Sequence, residues 1–405
     1  MRRFLFLSGA LAILIEAAAE EVTVSPPYSF EVTQLSGPTS TGAIVCGKWS
    51  NDSVHAWAQC NTNSVNSDFA WNYNPAWLPL PGGGDALMVR TQKEQPGPNP
   101  SRFALLRRLG PPGISNQSLK FEHSSESKII FGPGDSTDAY GTEDPYVAFR
   151  EKDSTYYLFY TAVQNRSGNW YNATLSLATC KGDPTEASCW VKRGAILAEH
   201  LSWMGKTCCG GILFRDDVEE RNPYHYIFFG EGAVLMARTR TPEIPSSYEL
   251  IVDHNGKPAP LLARRPGNFD HDGIEGGPSP FRLSDGNYIY FYNSAGPTPA
   301  APPPPAGSPN YHPAWAVLNG SDPTQVLWRA SVPLINVTQS YEIDGLTPWC
   351  IFLDSASRTP NAKSLNDFVL WYGGADTVVG ARRVVVTVAS DSIATNEPFM
   401  ASVMV

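Results

Sequence analysis

An all-β chain built from five repeated sheets is what this sequence predicts, on three observations. First, one short phrase returns five times: a turn rich in Gly, Pro or acidic residues, a few residues of loop, then an apolar, mostly aromatic strand. Second, the copies are almost evenly spaced. Third, convincing amphipathic helical runs are absent. The copies are Asn74-Pro75-Ala76 leading to Ala86–Val89, Glu143-Asp144-Pro145-Tyr146 leading to Tyr156–Tyr160, Gly210-Gly211-Ile212 leading to Tyr226–Phe229, Gly276-Gly277-Pro278 leading to Tyr288–Tyr292, and Thr347-Pro348-Trp349 leading to Phe368–Tyr372. Between Val89, Tyr160, Phe229, Tyr292 and Tyr372 the steps are 71, 69, 63 and 80 residues. A near-regular period in an all-strand sequence marks a five-bladed β-propeller. The period exceeds the roughly 40–50 residues of common repeat blades, so each blade carries long loops. A propeller brings the same loop of every blade to one central funnel, and four of the five copies can place a carboxylate there.

Taken in order, residues 1–19 read as a secretory signal peptide: Arg2-Arg3, an apolar run from Phe4 to Ile15, then small residues at Ala17-Ala18-Ala19. The run is too short to span a bilayer. Residues 20–70 form a lead-in that packs on the propeller, with short strands such as Gly42–Cys46, and residues 71–405 are the propeller itself. The second blade continues through Ala173–Ala178, the third through Ala233–Arg238 and the fifth through Arg382–Val388. Pro299–Pro309 is a Pro/Ala insertion that cannot be a central strand and reads as an exposed polyproline loop. It explains why the last interval is the longest.

Composition narrows the function classes. The 405 residues carry 30 basic and 39 acidic side chains, a net charge of −9, which argues against nucleic acid or an anionic membrane surface as a partner. Six sequons, at Asn51, Asn116, Asn165, Asn172, Asn319 and Asn336, agree with a secreted, extracellular glycoprotein. In that compartment the seven cysteines suggest disulfides, with Cys46–Cys60 and Cys180–Cys189 as local pairs. Cys208, Cys209 and Cys350 are left, and one of the adjacent pair can reach Cys350. No metal-ligand spacing appears among the cysteines. Asp270-His271-Asp272 reads as a polar turn, and Gly82-Gly83-Gly84 as a turn before a strand, because no helix follows it. No cofactor and no metal is expected.

The chemistry sits in carboxylates. Cleaving a glycosidic bond needs one carboxyl to protonate the leaving oxygen and another to activate water or attack. Glu143 and Asp144 on the second blade, Glu231 on the third, Glu275 on the fourth and Asp376 on the fifth all lie at an end of an inner-strand phrase.

These phrases resemble glycoside hydrolase family 130. The resemblance rests on Asn74-Pro75-Ala76 with Arg90, Glu143-Asp144-Pro145, Gly210–Phe214, Gly276–Pro280 and Tyr372–Thr377, and covers roughly residues 70–385 in order. It implies a five-bladed propeller acting on β-mannosides, by phosphorolysis or hydrolysis, and makes Asp144 the general acid. The family is similar in fold to the family 43 and 32 propellers, and Ile274–Pro278 loosely resembles the Glu-Gly-Pro phrase holding the family 43 acid. Two departures stand out. Tyr146 replaces the Arg that usually follows Glu-Asp-Pro, and the basic residue that phosphorylases use for phosphate is not evident around Tyr171–Thr174. Toward the expected funnel there are Lys206 and Arg90 and little else, whereas a phosphate co-substrate needs several cationic donors. The expectation is therefore a secreted hydrolase that inverts a β-linked mannoside within an oligosaccharide or glycan. Asp144 is acid, Glu275 or Glu231 directs water, and Asn74, Arg90, Glu143, Lys206 and Asp376 bind substrate. The alternatives are a family 43-like arabinosidase or galactosidase with Glu275 as acid, a mannoside phosphorylase, and a non-catalytic glycan-binding propeller.

Overall fold

The structure is a computed structural model that describes residues 27–37, 42–45, 71–92, 100–122, 128–134, 136–167, 170–198, 210–217, 222–297 and 310–389. It is nearly all β. Strand β1 is Tyr28–Leu35. The first blade is β2 (Trp71–Pro79), β3 (Asp85–Gln92), β4 (Arg102–Arg107) and β5 (Ile129–Phe131), paired in that order. The second is β6 (Gly141–Arg150), β7 (Thr155–Ser167), β8 (Trp170–Cys180) and β9 (Val191–Ala195). The third runs β10 (Gly211–Leu213), β11 (His225–Phe229), β12 (Ala233–Thr239) and β13 (Glu249–Leu250), with β14 (Leu262–Ala263) also on β12. The fourth is β15 (Gly273–Glu275), β17 (Tyr288–Ala295), β18 (Tyr311–Leu318) and β19 (Val326–Arg329), with β16 (Phe281–Arg282) on β17. The fifth is β20 (Ile351–Arg358), β21 (Asp367–Gly374) and β22 (Val378–Val388), and β1 completes it by pairing Tyr28 with Val388 through Leu35 with Ala381. The stretch read as a lead-in therefore supplies the outer strand of the last blade, and the ring closes on strands from opposite ends of the chain.

The second strand of each blade is buried on both faces, which is why it reads as a continuous apolar run rather than an alternating one. Successive side chains of a strand point to opposite faces. In β3, Ala86 and Met88 pack with Tyr156 and Leu158 of the second blade, while Leu87 and Val89 pack with Val369 and Trp371 of the fifth. In β7, Tyr157 and Phe159 turn the other way, onto Ile227 and Phe229 of the third blade. A larger cluster joins Phe228, Tyr290, Phe291 and Phe368 of the remaining blades. The Gly-rich phrases fit this packing. A Cβ on Gly211 would lie 2.2 Å from the backbone nitrogen of Ser279 in the next blade, and one on Gly277 would lie 2.3 Å from the Phe291 carbonyl.

Cys180 and Cys189 form the expected local disulfide, with Cα atoms 5.0 Å apart. Cys350 is buried and free among the described residues. Cys46, Cys60, Cys208 and Cys209 lie outside them, as do the signal-like segment and the Pro299–Pro309 insertion. The single α-helix among the described residues, α1 (Ser340–Ile343), carries Glu342, which is fully buried. Glu342 accepts hydrogen bonds from the backbone of Thr338 and Gln339, from the Tyr372 hydroxyl at 2.6 Å and from Arg382 Nη2 at 2.7 Å. This network fixes the turn that leads to Thr347 and Cys350.

Candidate active site

Inner strands set the site. Strand β2 packs beside β6 and β20, and β6 beside β10, so their ends meet around one axis. Three of these strands carry an irregularity at the same level. The β2–β3 register shifts between Tyr73 and Pro75, the β6–β7 register between Glu143 and Tyr146, and the β20–β21 register between Leu353 and Ser355. A bulge bends a strand and re-aims a side chain. The residues it re-aims here are Asn74, Asp144 and Asp354. Asn74 and Asp144 sit at φ of 45° and 49°, a left-handed backbone that Asn and Asp tolerate better than most residues. Each precedes a proline, which restricts the backbone further. Strain of this kind costs on the order of 1–3 kcal/mol and clusters where chemistry is done.

Arg90 on β3 ties the first two blades together. Its Nη2 lies 2.7 Å from Glu143, and its Nη1 lies 2.9 Å from Asp144 and donates to Asn74 Oδ1 at 3.2 Å. Its Nε donates to Ser101 at 2.9 Å, and its plane covers the Tyr73 ring. Burial opposes the Arg90 charge, but Glu143, Tyr73 and Asp144 outweigh it and raise the pKa. Asn74 then donates through Nδ2 to both Asp354 oxygens, at 3.1 and 3.2 Å. Burial, and next the charge of Asp144, push the Asp354 carboxyl well above the usual carboxylate range. One guanidinium faces three carboxyls here, and the raised pKa falls on Asp354, the carboxyl that Arg90 does not touch directly.

The fourth and third blades face this cluster. The backbones of Glu231 and Glu275 pair as an isolated antiparallel bridge, which places both carboxylates beside one pocket. They differ in surroundings: Glu275 is 6% exposed, whereas Glu231 lies at the exposed rim. Tyr311, the first residue of β18, donates its hydroxyl to Glu275 Oε1. On the fifth blade Thr347 donates to Asp376 Oδ2. Cys350 and Phe352 complete the apolar wall. Burial, then the charges of Asp376 and Glu275, push the Cys350 thiol well up, so it is no thiolate nucleophile at neutral pH. The pocket encloses about 200 Å³.

The structure thus brings Asn74, Arg90, Asp144, Glu231, Glu275 and Asp376 to one cavity. Glu143 meets Arg90 behind it, and Lys206 lies outside the described residues. Among the described residues lining the pocket, Arg90 is the only cation. Asp270 is fully buried against Arg265 and Arg329 and serves packing, while His271 and Asp272 bond each other. Sequence reasoning missed Asp354, Tyr311, Thr347 and Phe352. An Asp amid the apolar start of Ile351–Arg358 was a usable signal for the first. Thr347 stood in the fifth repeated phrase, but as a blade marker and not as a site residue, while Tyr311 and Phe352 carry no signal that stands out locally.

No family model matches the chain. The 1,2-β-oligomannan phosphorylase of Thermoanaerobacter sp. (strain X514) is 23% identical to it over 285 residues, 70% of this chain and 80% of that protein. One solved structure is described in the words "the GH130 family of mannoside phosphorylases contains glycoside hydrolases that target β-1,2 mannosidic linkages in Candida mannan". It aligns with a TM-score of 0.63 at 19% identity, covering 87% of this chain and 94% of that one. The β-1,2-mannobiose phosphorylase of Listeria innocua aligns with a TM-score of 0.57 at 17% identity, covering 82% and 94%. The chain is a five-bladed propeller, similar in sequence to a 1,2-β-oligomannan phosphorylase and similar in fold to a structure described under the GH130 family and to a β-1,2-mannobiose phosphorylase.

Proposed function

We propose that this chain is a secreted glycosidase that hydrolyses a β-mannoside with inversion. The observation that carries the reading is the charge of the pocket: its one described cation, Arg90, is committed to Glu143 and Asp144, while Glu231, Glu275 and Asp376 make the remaining walls anionic. A phosphate dianion would be repelled there, whereas neutral water and sugar hydroxyls are not. In this reading Asp144 gives its proton to the glycosidic oxygen as the C1–O bond breaks. Glu275 takes a proton from water as the water oxygen bonds C1 from the opposite face. Asn74, Arg90 and Asp376 hold sugar hydroxyls, and Glu143 keeps Arg90 in place. A cavity of about 200 Å³ is below the roughly 300–1,000 Å³ of drug-sized ligand sites, which suits one pyranose ring at a chain end. Secretion is supported by the signal-like N-terminus, by sequons at the exposed Asn116 and Asn172, and by the Cys180–Cys189 disulfide.

A second reading, phosphorolysis, is favoured by the activity in the name of the Thermoanaerobacter relative. Product analysis separates the two. A panel of aryl glycosides and β-mannosides is incubated with and without inorganic phosphate. Release of free α-mannose at a rate indifferent to phosphate is expected. Mannose 1-phosphate would overturn the hydrolytic reading. Asp144→Asn should lower kcat by on the order of 10²–10⁴, less on substrates with activated leaving groups. Stability should change little, because Asn still accepts from Arg90 Nη1 and Glu143 still neutralises Arg90. Near-full activity in Asp144→Asn beside an inactive Glu275→Gln would move the acid to the fourth blade.

A further inference from the structure

Resting on the hydrolytic reading, we infer that Tyr311 is the positioning residue that makes Glu275, rather than Glu231, the carboxylate that takes the proton from water. The geometry has three parts. Tyr311 is fixed by its backbone, which donates to the Trp349 carbonyl at 3.0 Å and bridges Cys350 of the fifth blade. Its ring is fixed edge-to-face against Phe352, with centroids 5.5 Å apart. Its hydroxyl then reaches across to Oε1 of Glu275. Oε1 is taken by a donor anchored in two blades, which fixes the orientation of the carboxylate beside the pocket.

The hydrogen bond also selects a charge state. A tyrosine hydroxyl donates to a carboxylate better than to a carboxylic acid, so the contact favours ionised Glu275, the form a base needs. Tyr311 keeps its own proton: burial, then the Glu275 charge, holds its pKa far above neutrality. The other titratable and charged groups facing Glu275 are Glu231 from the third blade, Cys350 and Asp376 from the fifth, and Asp144 and Arg90 across the pocket. The acidic ones all oppose ionisation of Glu275, and the Tyr311 hydroxyl is a close neutral donor that supports it. The deeper burial of Glu275 than of Glu231 agrees, since an oriented carboxylate shielded from bulk water is the better base.

Tyr311→Phe removes one oxygen and keeps the ring on Phe352. The test is the pH dependence of kcat/KM for a β-mannoside, in the parent, Tyr311→Phe, Glu275→Gln and Glu231→Gln. A hydrogen bond to a charged group is worth about 1.5–3 kcal/mol. Its loss should therefore lower kcat roughly 10- to 100-fold, leave KM within about threefold, and move the acidic limb up by about one to two pH units. The limb does not depend on how much enzyme is folded, so it reads the contact even if some of the variant is lost. Glu275→Gln should be crippled further than Glu231→Gln. An unmoved limb in Tyr311→Phe overturns the inference, as does a Glu231→Gln variant more damaged than Glu275→Gln. A parent enzyme that makes only mannose 1-phosphate, or releases no sugar from any mannoside, overturns the hydrolytic reading first and this inference with it.

Discussion

Replacing His312 by Gln tests how the strand that carries Tyr311 is held. His312 is the second residue of β18, 1% exposed, with Nε2 2.8 Å from Asn310 Oδ1. Asn310 is left-handed, at φ 51°, and its Nδ2 donates to the Gly296 carbonyl. The imidazole thus anchors the turn that enters the site. Burial lowers the His312 pKa from 6.5 to about 4. The unfolded chain therefore binds a proton more readily than the folded one. The stabilisation is fully present above pH 6.5, shrinks as pH falls, and is gone at about pH 4. At about 1.4 kcal/mol per unit, that drop makes roughly 3 kcal/mol, a large share of the ~5–15 kcal/mol that holds a domain together. Gln can donate its amide to Asn310 Oδ1 and carries no titrating group. Urea unfolding, followed by Trp fluorescence from pH 7.5 to 3.5, compares the two proteins. The other groups titrate in both, so the difference isolates His312. The parent should lose about 3 kcal/mol more than His312→Gln across that range. Parallel pH profiles would refute the reasoning.

Other outcomes follow from the same buried groups. Glu342→Ala leaves Arg382 without its carboxylate in the core of the fifth blade and should cost about 3–5 kcal/mol, read as a lowered Tm, whereas Glu342→Gln, which retains an acceptor, should cost less. Asp354 has its folded pKa raised above 3.8, so its contribution is complete below that value and is lost as pH rises toward the folded pKa. Asp354→Asn, which cannot ionise, should gain stability relative to the parent with rising pH at up to about 1.4 kcal/mol per unit. A pH-independent difference in unfolding free energy between the two would show that Asp354 ionises freely in the fold.

The five blades were legible because each second strand is buried on both faces, so Tyr156–Tyr160 or Tyr288–Tyr292 stands out as an apolar run at a repeated distance. Glu-Asp-Pro announced Asp144 because a carboxylate held before a proline is a local feature, written in three adjacent residues. Asp354 was missed for the opposite reason. Its direction depends on a register shift between β20 and β21, and a shift is a relation between two strands rather than a word in either. Tyr311 follows the proline-rich insertion, and only the pairing of β15 and β18 on either side of β17 brings its hydroxyl to Glu275. Glu231 and Glu275 read alike as candidates for directing water, each at an end of an inner-strand phrase; only the fold buries Glu275 and leaves Glu231 exposed. The place of β1 escaped as well, since nothing local in Tyr28–Leu35 names Val378–Val388 as its partner.

That pairing has a consequence for biogenesis. On a ribosome β1 emerges ahead of every blade, while β22 is among the last strands made. Domains form as their chain becomes available, so four blades can assemble while β1 waits with its ladder groups exposed. The ring then shuts in one late, long-range event. A chaperone that shields Tyr28–Leu35, or a tether that holds it away from β22, would leave a molecule with most of its blades formed and its circle open.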